Sequence, residues 1–164
     1  MTSETRKSCE ESVKIFSKYI NSNLIFGKML YVGIAGDPHG GEYSPLFTNF
    51  EISTIDINKK YNPDIVMDIT KTPFKKEYDV IIMVQTIEHI PNIFDLPKEL
   101  HKILKDDGYL IIDCPWMYHY HAEDSFGDYW RISKDGFKYL FMKYFKILNI
   151  RSDNNNTSVL MRKI

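Results

Sequence analysis

Two short runs constrain this chain more than anything else in it. YDVIIMV at Tyr78 to Val84 and GYLIIDC at Gly108 to Cys114 are apolar almost throughout, where a strand with one wet face would alternate. Such runs suit strands covered on both faces of a parallel sheet. Between them LPKELHKILK sets Leu96, Leu100, Ile103 and Leu104 on one helical face before Asp107-Gly108 ends it. Strand, helix and strand in that order predict a crossover unit and an α/β fold.

The rest of the chain extends the pattern. Further strands are predicted at Met29 to Ile34, Glu51 to Ile57, Asp64 to Met67, Lys146 to Ile150 and Ser158 to Arg162. The last two are joined by SDNNNT, a polar turn that predicts an antiparallel hairpin. SKDGFKYLFMKY reads as a helix with Ser133 as its N-cap. From Ser3 to Asn23 the apolar residues Cys9, Val13, Phe16 and Ile20 recur at helical spacing. The expectation is a mostly parallel, seven-stranded sheet with an antiparallel C-terminal hairpin strand, helices on both faces and an extra N-terminal helix. Residues 1–27 are read as that helix, a flank or a lid, and residues 28–164 as the domain proper.

Composition narrows the partners. The chain has 164 residues, enough for one core, and its 21 basic against 22 acidic side chains give a net charge of -1. The basic residues fall in scattered pairs, so no nucleic-acid groove is expected. MTSETRKSCEESVK is polar where a secretory leader is apolar, and no run approaches a membrane span, which predicts a cytoplasmic protein without a membrane partner. Cys9 and Cys114 lack CxxC spacing and read as reduced thiols.

In an open parallel sheet, ligands bind beyond the carboxyl ends of the strands where strand order reverses. The first strand runs into GIAGDPHGG, whose glycines permit tight turns, although the spacing is neither GxxxxGK[ST] nor GxGxxG. About twenty residues past Gly33, Asp56 ends the second strand, where an acid can accept hydrogen bonds from ribose hydroxyls. Asp68 follows the third strand, and Gln85, Glu88 and His89 follow the fourth. Glycine turn and strand-end acid together suggest an adenosine-containing ligand.

LYVGIAG, STIDIN, PDIVMDI with TPF, YDVIIMVQTIEHIPN and LPKELHKILKDDGYLIIDCPW, in that order, resemble the successive motifs of class I S-adenosylmethionine-dependent methyltransferases. Tyr118 to Arg131, with His121 and GDYWR, resembles a small, single-domain, type 11-like subgroup. The resemblance implies a Rossmann-like fold and S-adenosylmethionine as cofactor, with S-adenosylhomocysteine as product. It further implies that the backbone at Gly33, Ile34 and Ala35 wraps the methionine moiety, that Asp56 and Ile57 hold the ribose, that Asp68 and Ile69 meet the adenine, and that Gln85 borders the sulfonium. This chain departs from the family at Tyr31, where an acid is usual, at Ala35 and Asp37, where glycines are usual, and at KDDG. NKKYNP is too short for the usual helix between the second and third strands.

Methyl transfer from a sulfonium is an in-line displacement that depends on holding the acceptor near the methyl group, and an alcohol or ammonium acceptor must also lose a proton. His119 and His121 face the same way if their segment is extended, and His121, which matches the subgroup, is the expected base. Tyr118, Asp128, Tyr129 and Arg131 are the expected acceptor contacts, with an internal Asp128–Arg131 ion pair as the other reading of those two residues. Glu88 and His89 raise the question of a metal, but Gln85 offers no further acid, so no required metal is expected. The functional expectation is methyl transfer to an oxygen or nitrogen of a small-molecule acceptor, by a monomer or homodimer. The alternative is a catalytically inactive methyltransferase-like binding or regulatory protein, which the altered glycine loop and Tyr31 would favour.

Overall fold

The computed structural model describes residues 3–23, 26–34 and 42–164. Ala35 and the rest of the glycine-rich loop, residues 35–41, therefore lie outside the described residues. The elements are α1 (Ser3–Asn23), β1 (Gly27–Val32), β2 (Phe50–Asp56), β3 (Ile65–Val66), β4 (Tyr78–Val84), α2 (Leu96–Ile103), β5 (Leu104–Pro115), α3 (Lys134–Phe141), β6 (Phe145–Ser152) and β7 (Asn156–Lys163). No helix among the described residues is long and apolar enough to cross a membrane.

The seven strands lie in the order β3-β2-β1-β4-β5-β7-β6. From β1 the chain builds outward through β2 and β3, then returns to add β4 and β5 on the other side, all of them parallel. Strand order thus reverses between β1 and β4. The C-terminal hairpin contributes the antiparallel strand, β7, which pairs with β5 on one side and β6 on the other. Burial explains why β7 takes the inner place: Val159, Leu160 and Met161 cover both faces, whereas β6 is only partly buried along its length.

Successive side chains of the central strands β1, β4, β5 and β7 feed two separate cores, which is why these strands show little polar alternation. Met29, Tyr31, Val80, Ile82, Ile111 and Leu160 meet the α1 stripe of Cys9, Val13, Phe16 and Ile20, whose members are fully buried. Burying Val13, Phe16 and Ile20 contributes about 1.5 to 3 kcal/mol each. Leu30, Ile81, Met83, Leu110, Ile112 and Met161 point the other way, onto Leu96, Leu100 and Ile103 of α2 and Phe137 and Phe141 of α3. The Ser133 hydroxyl caps α3 by accepting a hydrogen bond from the Gly136 N–H at 3.1 Å.

One boundary differs from the sequence pattern. α2 stops at Ile103, and Leu104 is already extended and paired with Tyr78. The register then shifts before Val80 pairs with Tyr109, across a turn where Asp107 has φ 65°. The expected connection of β2 to β3 without a full helix is found as a single 3-10 turn at Lys59–Tyr61.

Candidate active site

The turn that leaves β1 is held by close contact with the turn that leaves β4. Gly33 has φ 77°, and a β-carbon there would stand 2.3 Å from the Thr86 Oγ1, so only glycine fits. Thr86 Oγ1 itself lies 2.9 Å from the Val84 carbonyl oxygen and 3.2 Å from that of Val32. Next to Gly33, the Ile34 N–H donates to Asp56 Oδ2 at 2.9 Å, and the Asn58 N–H donates to Asp56 Oδ1 at 2.8 Å. The β2 carboxylate is therefore fixed at the strand ends by two backbone donors.

Asp68 caps the 3-10 turn at Ile69–Lys71, its Oδ1 accepting from the Thr70 N–H at 2.9 Å and the Thr70 hydroxyl at 2.7 Å. Partial burial pushes its carboxyl up, but the Thr70 bonds and Lys71, 3.2 Å away, outweigh this and hold it below the usual range. Gln85 occupies the left-handed region at φ 49° and turns its amide inward. Its Nε2 donates to Asp113 Oδ1 at 2.5 Å and to Asn156 Oδ1 at 3.1 Å. Asp113 is fully buried, and burial pushes its carboxyl up to about 6 against the bonds from Ser158 and Gln85.

Beyond Thr86 a 3-10 turn carries Glu88 and His89, and the Glu88 carbonyl accepts the Tyr129 N–H at 2.8 Å, which draws the loop after β5 onto it. The Glu88 side chain is fully buried, with Oε1 3.7 Å from His89 Nε2 and 3.9 Å from His121 Nε2. Burial pushes its carboxyl well above the usual range, while burial of His89 pushes that imidazole down. His121 Nδ1 is 3.0 Å from Asp128 Oδ2, whose carboxylate also forms a two-pronged pair with Arg131 at 2.5 and 2.8 Å. Arg131, first, and the His121 backbone hold the Asp128 carboxyl far below its usual range.

These elements enclose a cavity of about 650 Å³ at the carboxyl ends of β1, β2 and β4. Gly33, Ile34, Asp56, Ile57, Asp68, Ile69, Gln85, Tyr118 and His121 all line it, so most of the residues singled out in the sequence meet in one place. His119 does not. The Arg131 guanidinium reaches the carbonyls of Tyr118 and His119, both at 3.2 Å, bending the segment so that the exposed His119 ring stacks on Tyr118 and only His121 faces inward. Asp128, Tyr129 and Arg131 also lie outside the cavity lining: the charges of Asp128 and Arg131 are spent on each other, and Tyr129 is 53% exposed with its ring over Gly127. Tyr43 and Phe126 line the cavity without having been singled out, as does Arg6 of α1. Lys60 and Glu123, 3.6 Å apart, form an ion pair within that lining. The aromatic pair carried no signal in the sequence, and Arg6 sits on a helix whose pattern reports only its buried stripe.

The sequence matches the family model described as a methyltransferase domain over residues 39–152, more than half of the chain. A protein of Pyrococcus horikoshii shares the fold with a TM-score of 0.73 and 18% identity, over 99% of this chain and 92% of its own. The 1,6-didemethyltoxoflavin-N1-methyltransferase of Burkholderia thailandensis, solved with 1,6-didemethyltoxoflavin and S-adenosylhomocysteine, gives 0.72 and 11% over 95% and 78%. The N-methyltransferase NodS of Bradyrhizobium japonicum, solved with S-adenosylhomocysteine, gives 0.64 and 13% over 94% and 86%. No curated protein sequence matches this chain. The chain belongs to the methyltransferase-domain family, with the class I fold and strand order expected of it. As a member of that family it is a methyltransferase.

Proposed function

We propose that the chain transfers the methyl group of S-adenosylmethionine to an oxygen or nitrogen of a small-molecule acceptor. The observation that carries this reading is the composition of the two sides of the cavity: Gly33, Asp56, Asp68 and Gln85 come from the turns after β1 to β4, and Tyr118 and His121 from the loop after β5. In this reading the first side holds the cofactor. Gly33, Ile34 and Ala35 wrap the methionine moiety, Asp56 and Ile57 take the ribose, Asp68 and Ile69 take the adenine, and Gln85 borders the sulfonium. Asp56 spends one lone pair of each oxygen on backbone donors and keeps the others for ribose hydroxyls.

The second side holds the acceptor. Its lone pair attacks the methyl carbon, the carbon–sulfur bond breaks with its electrons going to sulfur, and S-adenosylhomocysteine leaves. His121 is placed to take the proton that an alcohol or ammonium acceptor must lose, with Asp128 orienting the ring from behind. Asp128 and Arg131 act on this view as positioning residues for the loop. A cavity of this volume suits a small ligand beside the cofactor, and the Burkholderia structure, which holds 1,6-didemethyltoxoflavin and S-adenosylhomocysteine, supports the same class of acceptor.

Calorimetric binding and thermal unfolding with S-adenosylhomocysteine, S-adenosylmethionine and NAD test the cofactor side. Saturable binding of the two adenosyl-sulfur ligands alone is expected, with about 2.7 kcal/mol of added stability at a hundred times the dissociation constant. A protein that binds neither would overturn the reading. An acceptor screen that finds methyl transfer to a macromolecule and to no small molecule would overturn its second half.

A further inference from the structure

Glu88 is fully buried, and neither of its carboxylate oxygens has a hydrogen-bond partner among the described residues. A buried carboxyl left in this state is costly, and the methyl-transfer reading gives it no task. The two imidazole nitrogens nearest its Oε1, at 3.7 and 3.9 Å, are too far for hydrogen bonds, so a proton on Glu88 does not satisfy it either. Both imidazoles are oriented from behind. His89 Nδ1 is 2.5 Å from the Gly127 carbonyl oxygen, and His121 Nδ1 faces Asp128 Oδ2 at 3.0 Å and the His119 carbonyl oxygen at 3.1 Å. Facing only acceptors, each Nδ1 carries the ring proton, and each Nε2 presents a lone pair.

One oxygen and two nitrogens, all with free lone pairs, thus converge: one donor atom from each residue lies within 4.8 Å of the others. Like lone pairs do not hold one another, and what satisfies such a group is a cation. We propose that Glu88, His89 and His121 form a binding site for one divalent transition-metal ion. Bonds of about 2.0 to 2.2 Å to a tetrahedral ion put its ligands about 3.4 Å apart, so a small closing movement of these side chains completes the set. Two imidazoles and one carboxylate favour an ion such as Zn²⁺ over Mg²⁺, which prefers oxygen ligands. The carboxylate and carbonyl behind the rings are the outer partners that fix metal-bound histidines elsewhere.

This differs from the sequence expectation of no metal, which rested on Gln85 offering no further acid. Gln85 turns toward Asp113 and Asn156, and the third ligand arrives instead from His121, in a different loop. His89 and His121 line the cavity, so the ion's remaining positions face it. Its use there rests on the methyl-transfer reading: with the ion bound, His121 Nε2 would be a ligand and not the base, and an acceptor hydroxyl on the ion would be acidified enough to release its proton to solvent water before its oxygen attacks the methyl carbon.

The test uses the full chain, stripped with a chelator, dialysed and titrated with Zn²⁺, Co²⁺ or Mg²⁺ by calorimetry without cofactor, the Co²⁺ adduct also being read by its visible absorption. One Zn²⁺ or Co²⁺ per chain is expected, with no measurable Mg²⁺ uptake. Glu88→Gln, His89→Gln and His121→Ala each lower the affinity, and Asp128→Asn lowers it by about 10- to 100-fold. His101→Gln, at an imidazole far from the cluster, leaves binding unchanged. His121 is about a quarter exposed, so its variant reports on the site even if Glu88→Gln does not fold. Uptake that is not stoichiometric, or that is equal in the parent and the folded cluster variants, overturns the site. S-adenosylhomocysteine titrated into the same samples separates the two ideas: cofactor binding without ion uptake removes the metal site alone, and ion uptake without cofactor binding removes the methyl-transfer reading alone.

Discussion

Gly33 approaches Thr86 so closely that a β-carbon on the glycine would stand 2.3 Å from the threonine Oγ1. The contact joins the turn after β1 to the turn after β4, the two strands between which strand order reverses, and it opens the cavity that both turns line. Gly33→Ala therefore meets both a clash and a left-handed backbone at φ 77°. A loss of about 2 to 4 kcal/mol in urea unfolding is expected, together with weakened cofactor binding. Stability within about 0.5 kcal/mol of the parent would mean that the Thr86 turn yields without cost.

Asp56 supports a second prediction because its two oxygens have separate backbone partners, Ile34 and Asn58. Asp56→Asn removes the charge and turns an N–H group toward one of those donors. S-adenosylhomocysteine affinity should fall by about 1.5 to 3 kcal/mol, the range for hydrogen bonds to charged groups, in a protein that still unfolds cooperatively. Calorimetry giving the parental affinity would remove Asp56 from the ribose site.

The polar cluster between α1, β5 and β7 makes stability depend on pH. Asp113 faces Cys9 from α1, Gln85 from the turn after β4 and Ser158 from β7, and its carboxyl is pushed up to about 6 from 3.8. The folded state thus holds this proton more tightly than the unfolded chain. The contribution is fully present below about pH 4 and is lost as pH rises to about 6, amounting to roughly 3 kcal/mol at about 1.4 kcal/mol per pKa unit. Urea unfolding from pH 4 to 7 of the parent and of Asp113→Asn should show a stability difference that changes over this window and is flat above it. A difference constant with pH would place the titration elsewhere.

How much of this was legible in the sequence depends on distance along the chain. YDVIIMV marks β4 to the residue, because a strand buried on both faces needs only its own apolar run. Asp56, Asp68 and Gln85 were legible because strand ends in a parallel sheet share one edge, so order alone brings them together. Local geometry did not separate the histidines, and only the resemblance to the subgroup favoured His121. Extended geometry would turn His119 and His121 alike, and it is Arg131, twelve residues beyond His119, that bends the segment. The convergence of Glu88 with His121 has no local pattern at all, since it requires the Tyr129 N–H to meet the Glu88 carbonyl.

His121 is the inward-facing histidine of its loop, and either task proposed for it predicts the same kinetic change. His121→Ala should lower turnover by roughly 10² to 10⁴ with cofactor affinity kept, because the residues proposed to hold the cofactor lie on other elements. A fully active variant would leave the ring a structural part of the loop.

Asp128 binds three groups with one carboxylate: the Arg131 guanidinium through both oxygens, and the His121 N–H and Nδ1 through Oδ2 at 2.9 and 3.0 Å. All are donors, so an amide nitrogen at either position turns donor against donor. Asp128→Asn should cost about 1.5 to 3 kcal/mol of stability, since charge-assisted bonds are replaced and one donor is left unpaired. Its effect on function should be selective. The loop that carries His121 loosens, so turnover falls, while the turns after β1, β2 and β4 keep their own hydrogen bonds and S-adenosylhomocysteine binds as before. Arg131→Lys, which keeps the charge but loses the two-pronged geometry, should fall between parent and Asp128→Asn in both stability and turnover. Equal turnover in all three proteins would show that the ion pair holds the loop without orienting His121.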